Sequence, residues 1–412
     1  MMKQFTRSGR LLALVLFALS TAPASAYEWP GVYDPLQLLT LNLDMDPGDW
    51  STVKNDQTLD IEVPAMFWAD GEEQILVSVR RKSGDALGDK VSLKIDINEY
   101  VGGQKWSGLK KLSLENGDDA DVVAEGFAWY LNRVTAESST SGYNPGLAAW
   151  VRLVVNGESL GVYVNVEQPD KQFLKNRGLY TKNETWLYKA SDVSSVKLKV
   201  GDSDSPTTTE LCYSPFGSAG GGGNGKIDSG GDSTDCAVLD SDEAMAAALN
   251  DLIDMEAMLT LGAVSAFTMG PDDLFSHGKN FYYTDFLDGD KRQYIQWDLD
   301  SVFTSKSPDA SIYGTEKRNR GTMELSQTAY QDVILNNPVF RAQYDRIMAD
   351  LLNGPLQTDA QIAFLNDLEV LIGPALAADP NRNFTDSVSE RFDSLRNWVS
   401  GRAININDQL GN

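Results

Sequence analysis

Between Gly270 and Phe303 the stretch GPDDLFSHGKNFYYTDFLDGDKRQYIQWDLDSVF concentrates oxygen ligands. Asp272 and Asp273 fall in a loop after a long predicted helix. Asn280 opens a predicted strand, and Asp298 and Asp300 end its partner. Folding the turn Leu287-Asp288-Gly289-Asp290 brings Asn280 and the Asp298/Asp300 pair toward one end of a hairpin. Carboxylates and an amide are hard ligands suited to Mg²⁺ or Mn²⁺ carrying phosphate oxygens. An aspartate in the preceding loop, Asp273, can orient a hydroxyl nucleophile. The plain alternative is a set of solvated Asp-rich turns. The chain holds one histidine, His277, so polyhistidine metal sites are excluded. Chemistry falls to carboxylates, lysines and amides.

A second cluster lies in RRKSGDALGDKVSLKID. Gly84 and Gly88 sit in a predicted loop, and the following strand carries Lys90, Ser92 and Lys94 on one face. Backbone amides of a glycine-bearing loop with a lysine on the next strand can cradle nucleotide phosphates. Glu125, in the helix that follows, is within reach of a strand lysine. Exposed strand faces often carry lysine and helix surfaces often carry glutamate, so solvated faces are the competing reading.

The elements that must position these residues are legible from periodicity. Leu38–Met45, Thr58–Phe67, Gln74–Arg81 and Val91–Asn98 alternate apolar with polar residues, as half-buried strands do. Asp119–Ala136 has helical spacing and an acidic first turn. AAWVRLVV and GVYVNVEQ flank Asn156-Gly157, a hairpin turn signal. Ser241–Phe267 reads as one long helix. KNFYYTDF and RQYIQWDLD read as another hairpin, and helices follow from about Glu324. This order predicts a bilobal α+β fold: a β-rich lobe with one helix over 36–175, and a mostly helical lobe with a central β-hairpin over 176–412.

Charge narrows the partners. There are 59 acidic and 35 basic side chains among 412 residues, a formal charge of −24. That balance, with no basic stripe, excludes a nucleic-acid binder. Residues 1–26 read as a secretory signal peptide: Lys3, Arg7 and Arg10 precede the apolar Leu11–Ser20, and Ala24-Ser25-Ala26 supplies the cleavage pattern. Loss of those three cations takes the charge from −24 to −27. No later stretch reads as a transmembrane anchor, so an exported product is expected. Cys212 and Cys236 bracket a Gly/Ser/Asp-rich insert (205–238), read as a disulfide-tied surface loop.

DKVSLKIDIN, WSGLKKLSLENGDDADVVAEGFAWYL, VRLVVNGESLGVYVNVEQPDKQFLKNR, WLYKASD, KNFYYTDF and YIQWDLDSVF together resemble the CotH (spore-coat protein H) kinase family, over nearly all of the mature chain. The resemblance implies an atypical protein-kinase-like fold and transfer of phosphate from ATP to a secreted or envelope protein, with Mg²⁺ or Mn²⁺. It implies Lys90 or Lys94, preferably Lys94, as the phosphate-facing lysine, with Gly84 in the loop before it and Glu125 as its partner. Glu167 then falls at the inter-lobe hinge near the nucleotide base, and Lys189 matches a family lysine of open role. Asp273 corresponds to the catalytic-loop aspartate, and Asn280, Asp298 and Asp300 to metal ligands. Three features depart from the pattern: Arg81-Lys82-Ser83-Gly84 replaces an Arg-Gly-Asn-Ser-like loop, Gly126 stands where a longer side chain is usual, and the spacing from Asp273 to Asn280 is looser than in ordinary protein kinases. Two other functions compete: a non-catalytic surface or envelope assembly protein on the same scaffold, and a calcium-stabilised adhesin built around the insert.

Overall fold

The computed structural model describes residues 28–118, 121–192, 195–203, 241–270, 273–275, 278–287, 290–303, 308–313 and 334–411. The segment read as a signal peptide, the whole 205–238 insert with both cysteines, Asp272 and His277 lie outside these residues.

Seven strands close into a barrel in the order β1-β2-β3-β4-β5-β7-β6. They are β1 (Leu39–Asp44), β2 (Val63–Ala69), β3 (Ile75–Leu87), β4 (Lys90–Asp96), β5 (Lys111–Glu115), β6 (Ala148–Val155) and β7 (Glu158–Val166). Period-2 alternation turns Leu41 and Leu43, Ala65 and Phe67, Val77 and Val79, Leu93 and Ile95, and Leu112 and Leu114 into one barrel core. Closure comes from parallel pairing of β1 with β6, Leu41 opposite Leu153, a contact that no local signal announces. Helix α1 (Pro47–Asn55) follows β1 and is N-capped by Asp46.

Strands β6 and β7 form the wall between two cores. Ala149, Val151, Leu153 and Tyr163 face the barrel interior, whereas Trp150, Val162, Val164 and Val166 face a second core. This double burial explains why AAWVRLVV is almost continuously apolar. The second core also takes in α2 (Val122–Ser138), so the helix predicted for the β-rich half packs with the later elements. Asp121 caps α2 through Val123 N and Ala124 N at 2.9 and 3.1 Å.

Gly126, a weak residue for a helix interior, has a steric reason. A Cβ there would fall inside the Trp150 indole. That indole is held in place by its own Nε1–H donated to Val122 O at 2.7 Å. Gly126→Ala is therefore expected to lower unfolding free energy by about 1–2 kcal/mol, overpacking outweighing the ~1 kcal/mol helix-propensity gain. Urea titration of both proteins measures it; unchanged or raised stability would contradict this packing.

The remaining chain forms α3 (Lys171–Asn176), β8 (Thr185–Asp192), β9 (Ser195–Val200), α4 (Asp242–Leu252), α5 (Met255–Thr268), β10 (Lys279–Phe286), β11 (Gln293–Gln296), α6 (Pro338–Asn353), α7 (Thr358–Ala378) and α8 (Val388–Leu410). The expected β10–β11 hairpin is present, but a second hairpin extends it into a four-stranded sheet, β11-β10-β8-β9. The long helix expected over Ser241–Phe267 is two helices. Ile253 leaves helical geometry to bridge Arg292, and Asp254 caps the new helix through Ala257 N at 3.0 Å. Helix α7 is long and apolar enough to cross a bilayer, contrary to the sequence expectation that no later stretch is. Its Phe364, Leu365, Leu368, Ile372 and Leu376 are buried in the second core, which accounts for its composition. The architecture is thus α+β, and the β-rich first half is a closed barrel.

Candidate active site

The outer face of β3, β4 and β5 is polar, and strand register aligns its rows. Arg80 pairs with Lys94, and Lys94 with Ser113; Ser78 pairs with Asp96, and Asp96 with Lys111. One step further along that face, Lys82 of β3 reaches across to Glu115 of β5, and the two are in direct ion-pair contact. The Lys82 ammonium also lies 3.9 Å from Asp298 Oδ1, just after β11, and 5.1 Å from the Trp297 ring. Burial alone would lower its pKa, but Glu115, then Asp298, outweigh burial and hold it above the usual lysine range.

Lys82 is therefore the lysine that meets the late acids, and periodicity placed it in a loop. β3 continues to Leu87 through a bulge between Arg81 and Ala86 instead of ending at Arg81. The available signal was the alternation Ser78, Arg80, Lys82 opposite Val77, Val79, Arg81.

Glu115, Asp298 and Glu125 act on Lys82, and Asp300 acts in turn on Glu125. Glu125 projects from the first turn of α2, and Trp129 Nε1 donates to its Oε1 at 3.4 Å. Its Oε2 is buried without a hydrogen-bond partner. Burial, then the charges of Glu115 and Asp300, push its pKa well above the carboxylate range. The expected pairing of Glu125 with Lys94 does not form; Glu115, three strands into the same sheet, takes the lysine-holding position with Lys82.

Two backbone hydrogen bonds connect the acid-bearing loops: Lys279 N to Asp273 O at 3.3 Å, and Trp297 N to Asn280 O at 2.9 Å. Asn280 and Asp298 adopt left-handed φ values of 55° and 64°. Asn and Asp tolerate that region best, and its clustering marks a segment held by its surroundings. Asp273 is buried; its carboxylate accepts from the Ser265 hydroxyl and, at 2.9 Å, from Phe275 N.

Beside this cluster opens a pocket of about 380 Å³. Six cations line it (Arg80, Lys94, Lys111, Lys171, Lys189 and Lys199) against three acids, Glu62, Asp96 and Asp170. In a chain of charge −24 this is a marked local inversion of sign. Lys94 Nζ donates to Gln168 Oε1 at 2.7 Å, and Gln168 Nε2 donates to the Tyr282 hydroxyl at 2.9 Å. Burial and the neighbouring Lys82, Lys189 and Arg80 charges bring Lys94 down to about 7. Lys189 lies 5.7 Å from the rings of both Tyr282 and Trp297 and is lowered too, by burial and then Lys82.

Three predicted residues lie elsewhere. Lys90 is on the expected face but sealed, 1% exposed, with its Nζ 2.9 Å from Asp379 Oδ2 in the link between α7 and α8. It faces no cleft. Glu167 is saturated: Arg177 binds it through two bonds of 3.0 and 2.7 Å, Trp29 Nε1 at 2.9 Å and Leu147 N at 3.2 Å. It has no acceptor capacity left for a nucleotide base and instead ties the segment after β7 to the N-terminal residues. Gly84 is exposed, and its carbonyl accepts from the buried Arg81 guanidinium, which also binds Ser83 O and Lys54 O. That bulge is fastened through carbonyls and does not present an amide cradle.

Among the described residues no three carboxylate, histidine or cysteine side chains converge on one point. The donor chemistry nonetheless fits a divalent ion held jointly with phosphate oxygens. Glu115, Asp298 and Glu125 act on the Lys82 ammonium, Glu125 Oε2 is buried without a hydrogen-bond partner, and Mg²⁺ commonly takes only one or two protein carboxylates.

No curated protein matches this sequence. The crystal structure of a Helicobacter pylori proinflammatory kinase, CtkA, aligns with 84% of this chain and 90% of that one. Identity is 8% and the TM-score 0.36, and that likeness carries no argument. The family model described as CotH kinase protein matches residues 79–406, which include the Lys82 pair, the six cations of the pocket and the acids at 298 and 300. The chain belongs to the CotH kinase family.

Proposed function

We propose that this protein is an exported, metal-dependent phosphotransferase of bilobal kinase-like architecture that passes the γ-phosphate of ATP to a hydroxyl of a secreted or envelope protein. The observation that carries the reading is the Lys82–Glu115 pair set against Asp298, at the edge of a cationic pocket in an otherwise acidic molecule. The cations that line the pocket, Arg80 and Lys111 among them, attract the phosphates, and Lys82, kept charged by Glu115, orients them toward the acids. Asp298 and Asp300, with Asn280, would hold Mg²⁺ or Mn²⁺, which supplies neutralisation of phosphate charge when bound. Burial and the charges of Glu115 and Asp300 raise the Glu125 pKa, which favours its neutral form in the crowd of acids. Asp273, fixed by Ser265 and Phe275, stands ready to accept the proton of the acceptor hydroxyl.

One observation favours a second reading, a non-catalytic assembly scaffold: both Asp273 carboxylate oxygens are already engaged within the protein. Incubating mature protein with labelled ATP and Mn²⁺ or Mg²⁺, beside Asp298→Ala, separates the two. Transfer by the wild type that falls at least 10²-fold in the variant supports the enzyme. Equal, background incorporation in both supports the scaffold.

A further inference from the structure

Lys94 is held by an uncharged acceptor, whereas several neighbouring cations are held by carboxylates. Arg80 has Glu62 at 3.7 Å, Lys111 has Asp96 at 2.8 Å and Lys82 has Glu115. The acceptor for Lys94 is the neutral amide of Gln168 at 2.7 Å. The charges facing it are mainly of its own sign: Arg80 and Lys82 from β3 and Lys189 from β8, with Glu115 of β5 the opposing carboxylate. Tyr282 of β10 adds a phenol that Gln168 engages, and Lys111, Lys171, Lys199 and Asp170 border the rim. A desolvated amine among cations sheds its proton and becomes a nucleophile at neutral pH. The same cations concentrate anionic reagents beside it.

We propose that Lys94 is a covalent capture site for small phosphorylated aldehydes, which it binds as a Schiff base while the surrounding cations hold the phosphate. The amine nitrogen adds to the carbonyl carbon, forming a C–N bond as the C=O π pair moves to oxygen. That oxygen then departs as water with both amine hydrogens, leaving the C=N bond; no oxidant or reductant is consumed. Its value of about 7, set by burial and by Lys82, Lys189 and Arg80, makes the reactive form abundant at neutral pH. The modified lysine blocks the pocket to other polyanions. The site depends on the pocket alone and stands whether or not the protein transfers phosphate.

Pyridoxal 5′-phosphate is the probe, with borohydride to reduce the imine and peptide mass mapping to locate it. The expected result is one equivalent on Lys94, with a labelling rate that rises to a plateau with its midpoint near pH 7. Phosphate-free pyridoxal and added pyrophosphate are each expected to slow labelling at least about fivefold through loss of anion attraction. Lys94→Arg removes the nucleophilic amine and loses the label; Lys189→Arg retains it. Labelling on Lys189, label spread evenly over exposed lysines, a rate still climbing through pH 9, or indifference to pyrophosphate would each overturn the proposal.

Discussion

Lys82→Met is expected to reduce phosphate transfer by about 10²–10³-fold while the barrel stays folded. The ammonium is in direct contact with Glu115 and 3.9 Å from Asp298 Oδ1, so its loss removes positive charge from between acids where phosphate oxygens must enter. Methionine keeps an unbranched apolar stem and removes the ammonium that sits 5.1 Å from the Trp297 ring. Glu115 retains the Ser113 hydroxyl at 3.0 Å, which limits the structural cost of the substitution. The measurement is initial-rate label transfer with circular dichroism on the same samples. Lys90→Met is the contrasting variant: it lowers stability and leaves transfer per folded molecule near wild type, because Lys90 faces Asp379 and no cleft. Wild-type transfer by Lys82→Met, or a 10²-fold loss confined to Lys90→Met, would return the phosphate-facing role to β4.

The polar face of β4 was readable in the chain, because Lys90, Ser92 and Lys94 alternate with Val91, Leu93 and Ile95 and period two sorts them without further information. Their separate fates were not. Lys90 is sealed by Asp379, 289 residues away, and Lys94 is bound by Gln168, 74 residues away. Local pattern places a side chain on a face, and only long-range docking decides what covers it. Lys82 was hidden for a related reason: Ser83-Gly84 looks like the end of a strand, whereas Arg81 binds three carbonyls around the bulge and lets the strand continue.

The acids at 298 and 300 were easier, since a hairpin brings its own ends together with no distant partner required. The companion acid Glu115 was missed because nothing near it in the chain distinguishes it from any strand-terminal glutamate. Its role appears only when β3, β4 and β5 are set side by side in register. Barrel closure through β1 and β6 belongs to the same class, a parallel pairing with over a hundred residues between the strands.

Asp379→Ala is expected to cost about 3–5 kcal/mol of stability, the range for breaking a buried ion pair. The carboxylate is buried and accepts from three donors: Lys90 Nζ at 2.9 Å, Val162 N at 3.0 Å and Asn381 N at 2.8 Å. It fits because residue 161 is glycine, at φ +99°; a Cβ there would collide with the carboxylate. Gly88, at the β3–β4 turn, meets Asn381 in the same way, and Arg391 reaches Asp121 of the α2 cap at 2.5 Å. One carboxylate thus fastens the β4 start, the β6–β7 hairpin and the α7–α8 link. Lys90→Met should cost less, since Asp379 keeps two backbone donors. Burial already lowers the Lys90 pKa, so in Asp379→Ala the stranded amine can lose its proton, and the loss stays within this range. Denaturant titration of both variants tests the order. A smaller loss for Asp379→Ala than for Lys90→Met would show that the two backbone donors contribute little, and that the ammonium alone joins the barrel to the helices.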